Sequence, residues 1–491
     1  MGADFKLEEV NTIKKASKSR GLPKRFIVTI LAFFGLFNAA CMKVCVSVAI
    51  VAMVDHTEVQ FSNGTNSTAE CPVLVDQVKT EQKAYEGKRY DWDSIQQGFI
   101  LSAFFYGYFC AMLPGGYMAD RLGPVKVFGC CIFSTSLFTL LSPFVVQWGS
   151  VPFILLRFLA GFGEGATYPS VLAIISRWSP KLERSRITSI ILTGGSIGMV
   201  FSFSVAGLLS ASNFLGGWPS VFYVFGTIGC AWYFLWVIFI YESPNVHPTI
   251  TEEEIEKFKD VSSAKDKGKQ NVPWKSILTS LPVWALMFAC IGNNFGYIML
   301  MTQIPTYLNS ILHFNIKASG ALSALPYVSQ TVGAWIASFV ADKLRSTGKL
   351  RITLIRKVFS SIAGYGSAIC ILTIAFSGCH SYLIVFLLTF GNFLNGSKFS
   401  GFVAASVDMT PNFVGIIYGL TSGTGNIAGI IGPTMFGAII ANGATIANWS
   451  KVFMTISGIY FFTTTVFAVF GSAELQHWNK TEPVSPKEEK S

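Results

Sequence analysis

GGYMADRLGPVKV occupies residues 115–127, and SFVADKLRSTGKLR occupies residues 338–351. Both strings carry Ala-Asp-basic-Leu with further basic residues behind it. Each follows the second long apolar block of its half of the chain. Two occurrences at equivalent places mark an internal duplication. Secondary transporters are built this way, from two similar halves with the binding path at their interface.

Outward from these motifs the chain is dominated by apolar blocks. Of its 491 residues 51% are hydrophobic and 13% charged, against about a quarter charged in a soluble protein. A membrane-crossing helix needs roughly 20 mainly apolar residues. Twelve windows qualify: 26–54, 95–118, 124–146, 151–176, 187–210, 218–241, 281–307, 318–341, 358–376, 382–407, 413–441 and 452–471. The charged stretch 242–280 divides them six and six. An all-α membrane protein follows, with twelve transmembrane helices in two six-helix pseudo-repeat bundles (26–241 and 281–471). A tail precedes the first bundle (1–25), the linker 242–280 joins the two, and a second tail follows (472–491). The first window is longer than the apolar core of a signal peptide and is expected to stay as a span.

The net charge of +10 reports topology. With a cytoplasmic N-terminus, 28 of the 37 Lys and Arg fall in cytoplasmic segments, 6 in external ones and 3 inside spans. That is the positive-inside distribution, and it puts both termini in the cytoplasm. The implied partner is the lipid bilayer and not nucleic acid. Loop 55–94 is then external, and its sequons at Asn63 and Asn66 are glycosylation sites. Among ten cysteines only Cys71 and Cys379 fall in external loops, where a disulfide between them is an open option. None has metal-ligand spacing with His.

Charges deep in the membrane need a reason, because each costs at least ~2.5–3.5 kcal/mol to insert. Four lie well away from the rims: Lys43, Arg157, Glu164 and Lys398. At 1.5 Å per residue, Lys43 sits in the outer half and Arg157 roughly 9 Å below the outer rim. Glu164 lies two turns further along the same helix face, near mid-membrane, and Lys398 is slightly past the middle. Arg157 offers a planar fork suited to a carboxylate or phosphate; its bland alternative is pairing with Glu164, a long reach over seven residues. Glu164 is either a structural partner or a carboxylate that carries a coupling proton. Lys43 either snorkels or contacts substrate, and Lys398 either lines a wet cavity, pairs, or contacts substrate. Asp120, Arg121 and Asp342 in the repeated loop read as inter-helix ion pairs that hold one state closed, and Asp408 at the cytoplasmic rim reads as a gate. The Gly-rich stretches 193–207 and 423–437 read as tight packing, compatible with a seam for rocking.

The strings YDWD (90–93), FFYGY (104–108), PGGYMADRLG (114–123), RFLAGFGEGATYPS (157–170) and RWSPKLERSR (177–186) resemble the anion–cation symporter branch of the major facilitator superfamily, the sialin, vesicular glutamate and sodium–phosphate cotransporter-like family. The resemblance spans nearly the whole chain. It implies an alternating-access fold moving a small organic or inorganic anion with H⁺ or Na⁺, and it maps the family's helix 4 Arg and Glu onto Arg157 and Glu164. Lys43 stands where relatives usually have Arg. Leu101 and Leu172 stand where some members carry His, Ala160 where sialin-like members have a second Glu, and Asn293 where glutamate-type members have Arg. Ala405-Ser406-Val407-Asp408 replaces Asn-His-Leu-Asp, and Lys398 replaces a small residue. These departures point to a different anion, phosphate or a small carboxylate, gripped by Lys43, Arg157 and Lys398.

The expected function is therefore cation-coupled anion symport by a monomer, with no cofactor beyond Na⁺ or H⁺ as the coupling ion. The rival is a non-transporting membrane receptor or scaffold on the same fold. An enzyme is not expected, since no Ser/His/Asp set or metal-spaced histidines lie within the spans. No acidic dileucine signal stands out in either tail, which points to the plasma membrane, with an endosomal or lysosomal membrane as the alternative.

Overall fold

The computed structural model describes residues 23–54, 88–180, 183–258, 273–410, 413–441 and 443–479. Asn63, Asn66 and Cys71 lie outside the described residues. Cys379 is disulfide-bonded, and the eight cysteines other than Cys71 and Cys379 are free thiols.

Seven helices make the first bundle: α1 (Lys24–Met53), α2 (Ser94–Leu122), α3 (Pro124–Val145), α4 (Ser150–Glu164), α5 (Thr167–Trp178), α6 (Arg184–Ser210) and α7 (Trp218–Phe239). Two short linker helices follow, α8 (Glu252–Glu256) and α9 (Trp274–Leu278). The second bundle holds α10 (Leu281–Ser310), α11 (Ile316–Ser346), α12 (Ile352–Phe376), α13 (Ser381–Asn395), α14 (Phe402–Met409), α15 (Val414–Ile440) and α16 (Ile446–Phe470). Backbone groups in lipid must be satisfied within the segment, so a spanning chain of this kind becomes helix. Nine described helices are long and apolar enough to cross a bilayer by length and composition, counting α4 and α5 as one passage. The other three passages, α2, α11 and the α13–α14 pair, complete the twelve; they carry the repeated charged motif or a break. Large apolar side chains point outward on the bundles, Phe339 at 71% exposure and Phe376 at 72% among them, as expected where the surroundings are lipid.

Three expectations are corrected. Asp120, Arg121 and Asp342 sit in the last turns of α2 and α11 and not in loops. Ala, Leu, Lys and Arg are good helix formers, and the stop comes later, at Gly123 (φ +99°) and Gly348 (φ +64°), where only a residue without a Cβ adopts the turn cheaply. The ninth span begins at Ile352, six residues before the expected 358, which brings Arg356 into the helix. The fourth and tenth spans are each interrupted in their hydrogen bonding. Each opens with a 15-residue helix, ending at Glu164 and at Asn395; Gly165 and Ala166, still in the right-handed helical region, lead into α5, and a 3₁₀ turn at Gly396–Phe399 followed by the non-helical Gly401 leads into α14. Discontinuous helices at mid-membrane are where secondary transporters build their sites.

The two bundles meet at the end that carries loop 55–94. A Cβ on Gly207 of α6 would lie 3.0 Å from Gly320 Cα of α11, and one on Gly98 of α2 would lie 2.6 Å from the Pro433 carbonyl of α15. Ser102 Oγ and Thr434 Oγ1 share a hydrogen bond of 3.0 Å across the same α2–α15 contact. At the opposite, linker-bearing end Arg121 rests on the Tyr117 ring of its own helix at 5.4 Å, and Asp342 is exposed. The cross-bundle contacts named here thus gather on one side.

The linker is anchored to the first bundle. Glu254 of α8 accepts the backbone N–H groups of Lys24 (3.0 Å) and Arg25 (2.9 Å), so it caps α1. Arg25 Nε in turn pairs with Glu183 at 2.8 Å. Nearby, His247 lies against Trp178 and Tyr241 (ring centroids 6.1 and 4.7 Å), and its Nδ1 accepts from Thr249 N at 3.2 Å. Burial, and next the Lys24 charge, push this imidazole below its ordinary value of about 6.5. A depressed histidine stabilises the fold while it is neutral. That contribution is present above pH ~6.5, the unfolded value, and is lost as pH falls from there through the lower folded value. Heat unfolding in detergent at pH 7.5 and 5.5 should therefore show a larger acid-side drop in melting temperature for wild type than for His247→Gln. Equal drops would remove His247 from the linker's anchoring.

Candidate functional site

Mid-bundle, the break after α4 places Glu164 at its end, with Gly165 and Ala166 turning the chain into α5. Tight packing sets the height of α4 against α2. A Cβ on Gly161 would run into the Phe104 carbonyl, and one on Gly107 into that of Phe158. Thr135 Oγ1 of α3 donates to the Ala160 carbonyl at 3.2 Å. The result is a rigid shelf on which Arg157 and Glu164 stand.

Glu164 is 1% exposed and pairs with Lys43 of α1, Nζ to Oε1 at 2.9 Å. This contact was not foreseen, because the only partner considered for Glu164 was Arg157 on its own helix. Lys43 Nζ also lies over the rings of Tyr108 (4.7 Å) and Phe104 (5.5 Å) of α2. Arg157, 3% exposed, stands over the other reach of Phe104, its Cζ 5.0 Å from the centroid. Its Nε is buried without a hydrogen-bond partner, as is Glu164 Oε2. Among the described residues Arg157 has no ion-pair partner. So the Lys43–Glu164 pair neutralises itself, and the buried Arg157 guanidinium is left without an ion pair of its own among the described residues.

The second bundle supplies the counterpart. Lys398 sits in the Gly396–Phe399 break between α13 and α14, 9% exposed. Its ammonium donates to Asn293 Oδ1 at 3.1 Å and lies 4.8 Å from the Tyr297 ring centroid; both partners are on α10 and neither carries charge. A polar chain continues from there. Tyr460 OH donates to the Asn293 carbonyl at 3.4 Å, Asn395 Nδ2 to Tyr460 OH at 3.5 Å, and Gln330 Nε2 to Asn395 Oδ1 at 2.8 Å.

Arg356, which sequence reading passed over, holds this break together. Its Nη1 donates to the Ser400 carbonyl at 2.9 Å and its Nε pairs with Asp408 at 2.8 Å. One side chain thus ties the irregular turn to the last turn of α14. Asp408, read as a gate, pairs inside its own bundle with Arg356 and, at 3.8 Å, with Arg345. The signal that could have found Arg356 is the basic run 343–357 facing a lone acid at the end of the tenth span.

Removing one partner of a buried pair strands the other and costs about 3–5 kcal/mol, whereas replacing both by apolar groups is often neutral. Lys43→Met alone should lower stability on that scale in detergent heat unfolding. The Lys43→Met/Glu164→Met double variant should recover most of the loss. Additive losses would mean that the two residues do not act as a pair.

The family model of the Major Facilitator Superfamily matches residues 26–433. Human sialin is 36% identical over 454 residues, covering 92% of this chain and 90% of its own. A Drosophila melanogaster protein provisionally named an inorganic phosphate cotransporter is 36% identical over 462 residues, covering 93% and 87%. Human vesicular glutamate transporter 2 is 33% identical over 480 residues, covering 96% and 77%. Among solved structures, an inward-facing bacterial homologue of the human lysosomal transporter Spinster superposes with a TM-score of 0.64 at 14% identity, covering 92% of this chain and 96% of that one. A D-xylose–proton symporter gives 0.63 at 14% identity, covering 92% and 99%. The last two carry the fold alone; the first four place the sequence. This chain belongs to the major facilitator superfamily, a superfamily of membrane transporters and not of enzymes, in the branch that holds sialin and the vesicular glutamate transporters.

Proposed function

We propose that this chain is a secondary active transporter that moves a small anion, phosphate or a carboxylate, coupled to H⁺ or Na⁺ by alternating access. One observation carries the reading: Arg157 is a buried guanidinium with no carboxylate partner among the described residues and an unsatisfied Nε. A charge in that position is costly unless something neutralises it for part of the cycle. An anionic substrate does so, and the guanidinium fork offers it two parallel hydrogen bonds. The relatives named as vesicular glutamate transporter and inorganic phosphate cotransporter support an anionic cargo.

Each charge then has a role. Arg157 grips the anion, and Lys398 offers a second cation from the other bundle. Lys43, engaged by Glu164 at 2.9 Å, becomes free to join when Glu164 takes up a proton or faces a sodium ion. Binding of the coupling cation and of the anion therefore support each other through Lys43, which is the coupling that a symporter needs. Contacts between the bundles at the loop-55–94 end support reading this conformation as open towards the linker side. On the charge distribution, that side is the cytoplasm.

Uptake of labelled phosphate, glutamate, sialic acid and glucuronate into proteoliposomes, under Na⁺ and H⁺ gradients imposed separately, tests the reading. One anion driven by one gradient is the expected result. Arg157→Ala should abolish that uptake, and Arg157→Lys, which keeps charge but loses the fork, should leave a small fraction. Glu164→Gln should retain anion exchange while losing the gradient dependence. Properly folded protein that moves none of the four would sink this assignment and favour the scaffold.

A further inference from the structure

The Lys398 ammonium faces its neighbour Phe399, ring centroid 5.4 Å away, and two groups of α10. Asn293, which accepts from its ammonium at 3.1 Å, and Tyr297, whose ring centroid lies 4.8 Å away, are four residues apart on that helix and so share a face. Tyr297 is also part of the boundary between the bundles. Its hydroxyl donates to Met199 Sδ of α6 at 3.0 Å. Its ring meets Tyr327 of α11 edge-on, centroids 5.6 Å apart at 89°. Tyr327 in turn stacks on Phe203 of α6 at 5.4 Å and 15°. Met199 and Phe203 are four apart on α6, and Gly207, another four on, backs onto Gly320. One connected set of contacts therefore runs from the Lys398 ammonium through Tyr297 into the α6–α11 seam that closes the loop-55–94 end.

We infer that Tyr297 is a positioning residue that couples the place of the Lys398 ammonium to closure of this seam. With the ammonium over its ring, Tyr297 is fixed against Met199 and Tyr327, and α6 stays docked on α10 and α11. With the ammonium drawn away, the ring loses its cation and the seam its brace. Its use in transport, with an anion as the group that draws Lys398 off, rests on the proposed function; the brace itself needs no substrate.

The experiment reads the seam directly. Spin labels carried on unnatural amino acids at Ala211 and Lys317, exposed positions at the adjoining ends of α6 and α11, report its width by pulsed dipolar distance measurement on the full-length protein in nanodiscs, without added anion. Wild type should give mainly the short distance. Tyr297→Leu and Lys398→Gln should each raise the ratio of long to short distances by about tenfold, the scale of a desolvated cation–aromatic contact. The double variant should go no further than either single change, and Tyr297→Phe, which keeps the ring, should stay within about twofold of wild type. Three outcomes would overturn the inference: Lys398→Gln indistinguishable from wild type, additive effects in the double variant, or Tyr297→Phe opening the seam as far as Tyr297→Leu. If Tyr297→Leu does not fold, Tyr297→Met takes its place under the same criteria. Failure of every uptake assay with these distance shifts intact would overturn the transport reading and leave this inference standing.

Discussion

Low dielectric inside the first bundle is what everything else answers to. An ammonium and a carboxylate 2.9 Å apart attract far more strongly there than in water, yet each gave up its hydration to be there. The pair is tolerable because both members are present, and it fixes α1 against the end of α4. Arg157, two turns away, has only the face of Phe104. At this level the bundle therefore holds one ion pair, Lys43 with Glu164, and one cation without an ion-pair partner among the described residues.

Duplication explains why each half carries a polar break. α4 and α13 are each 15 residues long, and each ends in a polar residue at a break, Glu164 in one and Asn395 in the other. What differs is the charge placed around the break. The first half keeps its carboxylate and pairs it with Lys43. The second has an amide in the corresponding place, joined to Gln330 and Tyr460, and puts its cation, Lys398, into the turn itself. Freed carbonyls at such a turn need donors, and Arg356 supplies one to Ser400 while holding Asp408.

Much of this was legible in sequence because the cues are one-dimensional. Twelve apolar windows, the repeated Ala-Asp-basic-Leu and the charge asymmetry between loops are all patterns along the chain, and they yield the two-bundle architecture. Arg157, Glu164, Lys43 and Lys398 stood out because ionised residues in apolar blocks are rare. What stayed hidden depends on register between helices. Lys43 and Glu164 are far apart in sequence, and nothing local says that their helices bring them together. The breaks were hidden for another reason: Gly165, Gly396 and Gly401 sit among 45 glycines, most of which serve close packing. Arg356 was lost when the ninth span was begun too late, so a structural residue was counted as loop charge.

Glu254 caps α1 and Phe258 packs into the first bundle's core, while Ile277 of α9 is fully buried in the core of the second. The chain is thus moored to one rigid body up to 258 and to the other from 274 on. Whenever one bundle turns against the other, α8 must travel with the first and α9 with the second. A pair of probes, one on each of these short helices, would therefore read the rotation of the two bundles from outside the membrane, without touching the buried charges.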